Sequence, residues 1–187
     1  SDMVFDNNEI TKAMLRELHD PSLGHLGLFG CNGRLIKRSI IIDNNIFFDE
    51  KLRFLEDKSF CWDVLSFARN ARYLRKQLYS YYVYPNVSTA LSESLSHGFS
   101  LKSIKLIVLH VTNSLKRRNL SDNEIEKYGQ HALIFFSIHI LISISRQWFL
   151  GKIDLKKGEK IRRNVINEML SDAEVSSAIK NYMPSKK

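Results

Sequence analysis

Cysteine, proline and glycine are all scarce: the 187 residues hold two cysteines, three prolines and eight glycines. Two thiols, Cys31 and Cys61, are too few for a disulfide framework. No basic start followed by an apolar middle opens the chain as a secretory signal would, so a reducing, cytoplasmic setting is expected. There is no internal repeat. The most apolar run, residues 132–144, is shorter than the about 20 residues that span a bilayer, and Ser137, His139 and Ser143 interrupt it. It reads as a helix buried in a bundle, because an interfacial helix would carry a broad basic face that this stretch lacks. Also missing are an Asp-x-Asp pair, a glycine-rich phosphate loop and a regular alternation of strand and helix signals. The last two are the signals that a nucleotide-binding half would show.

What is present suits a globular protein, with 44% hydrophobic and 26% charged residues, enough to bury a core of ordinary size in one domain or two small ones. The net charge of +8 is unevenly placed. Residues 1–100 carry 12 Lys+Arg against 12 Asp+Glu, whereas residues 101–187 carry 16 against 8. A basic half of this kind meets an anionic membrane surface, a phosphate-bearing substrate or nucleic acid, or is simply a solvated surface. No recognised nucleic-acid motif accompanies it. Lys116-Arg117-Arg118 and Lys156, Lys157, Lys160, Arg162 and Arg163 are the contact residues that a non-enzymatic basic helical module, binding a protein partner or an anionic membrane, would use.

The pattern along the chain predicts a mainly helical α+β protein. Asp6-Asn7-Asn8-Glu9 has the form of a capping box, and Ile10, Met14 and Leu18 then mark one face of a helix that ends by Asp20-Pro21. The four glycines of residues 22–33 predict a loop close to other backbone. Residues 34–43 fit helix and strand equally. Phe60, Cys61, Val64, Leu65 and Ala68 have the spacing of a helix with one buried face. Residues 71–74 and 77–84 alternate like a short hairpin or two edge strands, and the serine-rich residues 86–100 predict a linker. Ser121-Asp122-Asn123-Glu124 and Ser171-Asp172-Ala173-Glu174 are two further capping boxes, so residues 100–183 should form three or four helices.

Four carboxylates, Asp49, Glu50, Glu56 and Asp57, fall within residues 48–57, just ahead of an apolar helix. Adjacent carboxylates repel, but two at a helix N-terminus both stay ionised, because unpaired amides and the helix dipole favour negative charge there. An ionised carboxylate on a rigid element is what a general base needs. The same residues also suit a plain helix cap. His19, His25, His97, His110, His131 and His139 show no metal-ligand spacing, and read as structural or surface groups. Cys31 and Cys61 read as buried or half-buried thiols.

Residues 28–92 as a set resemble the acceptor-side half of family 2 glycosyltransferases. The resemblance rests on Asn32-Gly33-Arg34-Leu35-Ile36-Lys37-Arg38-Ser39, then Asn45-Ile46-Phe47-Phe48-Asp49-Glu50, then Leu55-Glu56-Asp57-Lys58-Ser59-Phe60, then Leu78-Tyr79-Ser80-Tyr81, in that order and at fitting distances. It implies an inverting GT-A enzyme of bacterial capsule, lipopolysaccharide or exopolysaccharide synthesis, moving a sugar from a nucleotide-sugar donor to a glycan or lipid-linked acceptor. Asp57 then corresponds to the general base and Glu56 to an orienting carboxylate. Arg34, Lys37 and Arg38, with Ser88 and Thr89, correspond to substrate-binding residues. The family's divalent metal, Mg or Mn, is held by an Asp-x-Asp that this chain lacks. Residues 1–92 would thus be the acceptor-side part of a GT-A domain, a partial GT-A fold whose nucleotide-binding half is absent. Residues 93–187 would be a carboxy-terminal helical domain, and the piece alone would be inactive. The family's processive members carry Gln-x-x-Arg-Trp, whereas Arg146-Gln147-Trp148 has these residue types in another order, which leaves Trp148 as a core or interface aromatic.

Overall fold

The protein is described by a computed structural model covering residues 2–19, 30–52, 54–80, 82, 101–149, 151 and 154–181, with the side chains of 146–148 and 155 outside the description. The architecture is α+β and mainly helical. Strand β1 (Met3–Phe5) leads into α1 (Asn7–His19), α2 (Arg38–Asp43), α3 (Glu56–Phe67) and β2 (Ala71–Tyr73). Helices α4 (Leu101–Arg117), α5 (Asp122–Phe149), α6 (Leu155–Ser171) and α7 (Ala173–Asn181) follow.

Local chemistry explains several helix ends. Asp6 and Glu9 form a reciprocal capping box: each backbone N–H donates to the other's carboxylate at 2.8 Å. Ser121 and Glu124 do the same for α5, the Ser121 N–H reaching Glu124 at 3.0 Å. Helix α4 closes with Asn119 at φ 57°, its N–H donating to Lys116 and that of Leu120 to Leu115, which satisfies the last carbonyls. The third expected box is not formed. Asp172 alone caps α7, accepting from the N–H groups of Glu174 and Val175 at 3.1 Å. Ser171 instead ends α6, since a single carboxylate already serves both free amides.

Of the short hairpin or two edge strands expected over residues 71–74 and 77–84, Ala71–Tyr73 is a strand, and it pairs with a chain-distant segment: Met3 lies opposite Tyr73 and Phe5 opposite Ala71, antiparallel. Residues 77–80 are not strand, and residues 81 and 83–85 lie outside the described residues or, as with the proposed linker, wholly beyond them. The segment 34–43, open between helix and strand, contributes the short helix α2.

One apolar cluster runs through both halves of the sequence. Phe5, Ile10, Met14, Leu18, Leu52, Leu55, Trp62 and Leu65 pack with Ile104, Ile107, Val111, Leu115, Leu133, Phe136, Ile140, Ile144, Val165, Met169 and Val175. Burial of this extent, about 1.5–3 kcal/mol for each large side chain, is the main driving term. Helix α3 is sunk on nearly every side, with all residues from Ser59 to Ser66 buried, rather than on the single face expected. A smaller cluster of Ile46, Phe60, Cys61 and Val64 fills the space between α3 and α2.

Helix α5 continues well past both ends of the apolar run 132–144. Its stretch Asp122–Ser145 is long and apolar enough to cross a membrane by length and composition, yet more than half of that stretch is buried within the protein. Ala132, Leu133, Ile134, Phe136, Ile140 and Ile144 face the core, while Ile138 and Ile142 are exposed.

Candidate functional site

The first turn of α3 carries Glu56 and Asp57, both half-buried. The residue before the helix, Leu55, is buried and held at φ 62°, a left-handed conformation that costs a non-glycine residue roughly 1 kcal/mol. No side chain caps this helix in the usual manner. Asp57 accepts a hydrogen bond from the Lys58 N–H at 2.7 Å, so its carboxylate is held against the free amides of the helix mouth. Among the described residues Asp57 has no ion-pair partner within 4.0 Å.

Arg34 is near enough for its charge to interact with that of Asp57. The guanidinium is half-buried, and its Nε is sealed from solvent with no hydrogen-bond partner. Burial pushes Arg34 below its ordinary value, and the nearby Cys61, Cys31 and Asp57 pull it back up. Arg34 follows a turn at Gly33, whose φ of 68° suits glycine; a Cβ there would lie 3.4 Å from the Cβ of Tyr79. The tyrosine segment therefore lies against the turn that delivers Arg34. The fold thus gathers three separate pieces of sequence, around residues 32–34, 56–57 and 79, into one corner. Phe48 stacks on Phe60 at 4.3 Å nearby, while Phe47 and Leu35 are exposed. Lys37 and Arg38, at the start of α2, are exposed. Ser88 and Thr89 lie outside the described residues, as do His25, His97 and the side chain of Trp148.

A second polar cluster was not foreseen. His110 of α4 sits between two carboxylates, its Nδ1 2.8 Å from Asp63 Oδ2 and its Nε2 3.2 Å from Asp49 Oδ2. Arg117 donates to Asp63 Oδ1 at 2.7 Å, and Ser114 lies 3.5 Å from the same oxygen. The bond to Asp63 pushes the imidazole above its ordinary value, against the opposing effect of burial. Burial pushes the Asp63 carboxyl up, but His110 and Arg117 together outweigh it and hold it low. Asp49 is also held low, first by the Lys51 N–H and then by His110. The cluster joins three segments, the turn at Asp49, α3 at Asp63 and α4 at His110, Ser114 and Arg117, so no local spacing announces the carboxylates that the helix meets. Only the helical position of His110 beside the apolar stripe of α4 hinted at an inward ring. The cluster ties α4 to α3 and to the turn that precedes it.

The neighbouring Arg118 is also used internally. Its guanidinium donates to the Ala68 carbonyl at 2.7 Å, to the Leu65 carbonyl and to Asn7. Of the run Lys116-Arg117-Arg118, Lys116 and Arg117 are exposed, and Arg117 is ion-paired to Asp63. His139 is half-buried on α5, and burial pushes it down to about 4.

Among the described residues, no group of three or more His, Cys, Asp or Glu side chains is placed to hold a metal ion. The divalent ion that the resemblance implies has no ligand set among them, and no step below passes through it. A cavity of about 530 Å³, lined by His19, Glu126, Lys127, Gln130 and His131 among others, lies between α1, α5 and α7, away from Asp57. No known protein family matches the chain, and no curated protein or solved structure shows significant similarity to it.

Proposed function

We propose that the Glu56–Asp57 corner is the acceptor-side catalytic site of an inverting family 2 glycosyltransferase, which moves a sugar from a nucleotide-sugar to a glycan or lipid-linked acceptor in bacterial surface polysaccharide synthesis. The carrying observation is the state of Asp57: half-buried at a helix mouth, oriented by the Lys58 N–H, and without an ion-pair partner among the described residues. A carboxylate so held is directed, as a base must be to take the proton of an attacking hydroxyl. Glu56 would orient the acceptor. The half-buried Arg34 would meet a donor phosphate oxygen or an acceptor hydroxyl. The exposed Lys37 and Arg38 would add positive potential at the rim. The convergence of Gly33, Arg34, Asp57 and Tyr79 in one corner supports this reading, since these are the pieces that carry the resemblance.

The nucleotide-binding half and its divalent metal would be supplied by sequence outside these residues. The helical half would keep the catalytic part at the inner face of the membrane, near a lipid-linked acceptor. Exposed Lys156, Lys157 and Lys160 on α6 favour such a peripheral contact. The purely non-enzymatic basic module is the weaker reading, because Arg117 and Arg118, two of its contact residues, are already bonded to the protein's own oxygens.

The test joins this chain to a donor-binding half and measures transfer from a panel of nucleotide-sugars to a lipid extract. Asp57→Asn should lower kcat by about 10²- to 10⁴-fold. A near wild-type rate in Asp57→Asn would overturn the assignment.

A further inference from the structure

Cys31 and Cys61 are 30 residues apart in sequence, and the proposed transfer uses neither, yet the fold sets their sulfurs 3.6 Å from each other. A disulfide needs about 2.0 Å, so closure asks for an approach of roughly 1.5 Å. The two sides differ in their freedom to make it. Cys61 lies in the buried middle of α3, packed with Ile46, Phe60 and Val64. Cys31 is half-buried and opens the turn that passes through exposed Asn32 and Gly33, with only a weak 3.6 Å contact from its thiol to the Asp57 carbonyl. The turn side is therefore the one that moves.

We propose that Cys31 and Cys61 form a redox-responsive dithiol, which a small-molecule disulfide such as oxidised glutathione closes into an intramolecular bridge. Cys31, the accessible partner, attacks one sulfur of the reagent as its thiolate and expels one glutathione thiolate, leaving a mixed disulfide at Cys31. Cys61 then loses its proton and attacks the Cys31 sulfur, expelling the second glutathione. Two electrons pass from the pair to the reagent, and the two protons leave on the two glutathione thiols. Burial pushes the Cys31 thiol up and the Cys61 thiol up to about 12, while Arg34 pulls both down. Raised thiols hold little thiolate, so the exchange is slow and closure needs sustained exposure to the oxidant.

Cys61 lies four residues after Asp57, on the same side of α3. The bridge would pin the Cys31–Gly33 turn, and with it Arg34, against the helix one turn below that carboxylate. The dithiol stands whether or not the transferase reading holds. Its effect on Asp57 rests on that reading.

The full folded chain is incubated with oxidised glutathione, and free thiols, intact mass and non-reducing peptide maps are followed. The two thiols should disappear together, the monomer should lose two hydrogens, the peptides holding residues 31 and 61 should be linked, and Tm should rise by roughly 5–10 °C. Cys61→Ser should stop at a glutathione adduct on Cys31, and Cys31→Ser should leave Cys61 unreacted until denaturant is added. A stable glutathione adduct in the wild-type chain would overturn the proposal. So would bridged dimers, or two thiols that both survive in the folded chain and react only in denaturant.

Discussion

Replacing His110 with Gln tests the polar clasp between α3, α4 and the turn at Asp49. When protonated, the imidazole donates to two carboxylates at once, at 2.8 and 3.2 Å, with 21% of its side chain exposed. Hydrogen bonds to charged groups contribute about 1.5–3 kcal/mol each when largely buried. An amide can keep one of the two but carries no charge, and Arg117 still neutralises Asp63. The net loss should be about 2 kcal/mol, or roughly 4–8 °C in Tm for a chain of this size. The sign with pH follows from the direction of each shift. His110 is raised on folding, so its contribution is fully present below about 6.5 and is lost as pH climbs through the folded value. Asp63 and Asp49 are lowered, so theirs is present above about 3.9 and fades as pH falls through their folded values. Urea unfolding of the two proteins between pH 4 and pH 9 should show the wild type losing its advantage on the alkaline side, with the acid limb kept by both. Parallel curves from pH 5 to pH 9, or a wild type that gains on the variant as pH rises, would refute the reasoning.

Arg118→Met should cost about 2–3 kcal/mol, because the carbonyls of Leu65 and Ala68 at the end of α3 lose a charged donor while the apolar stem is kept; Arg118→Lys, which cannot fork, should fall between. Both are read by chemical denaturation. Asn119→Gly should raise stability by about 0.5–1 kcal/mol, since φ 57° suits glycine better than any other residue, and an unchanged or lower midpoint would count against that account. Asp172→Ala should cost about 1 kcal/mol through the lost cap of α7, whereas Ser171→Ala should be close to neutral.

The sequence made the helices legible where their signals were local. The boxes at Asp6–Glu9 and Ser121–Glu124 need only four residues each, and the run 132–144 announces its burial by composition alone. The β1–β2 pairing was hidden because two three-residue strands have too little alternation to name a partner some seventy residues away. The same holds for the meeting of Asp49 and Asp63 with His110 and Arg117, which lie 47 or more residues further along the chain, and for the Cys31–Cys61 approach. At the Asp57 corner the residue types were legible as a candidate site. Their proximity to Arg34 and Tyr79 was not, because a turn at Gly33 sets it.

The apolar cluster that joins Trp62 and Leu65 to Ile107, Val111 and Leu115 has a practical outcome for anyone who wishes to move this corner elsewhere. The carboxylate pair is not a portable cassette. A graft ending near residue 92 would arrive with one wall of α3 stripped bare and Asp63 deprived of both cations, so a working transplant has to carry α4 and the helices behind it as part of the same parcel.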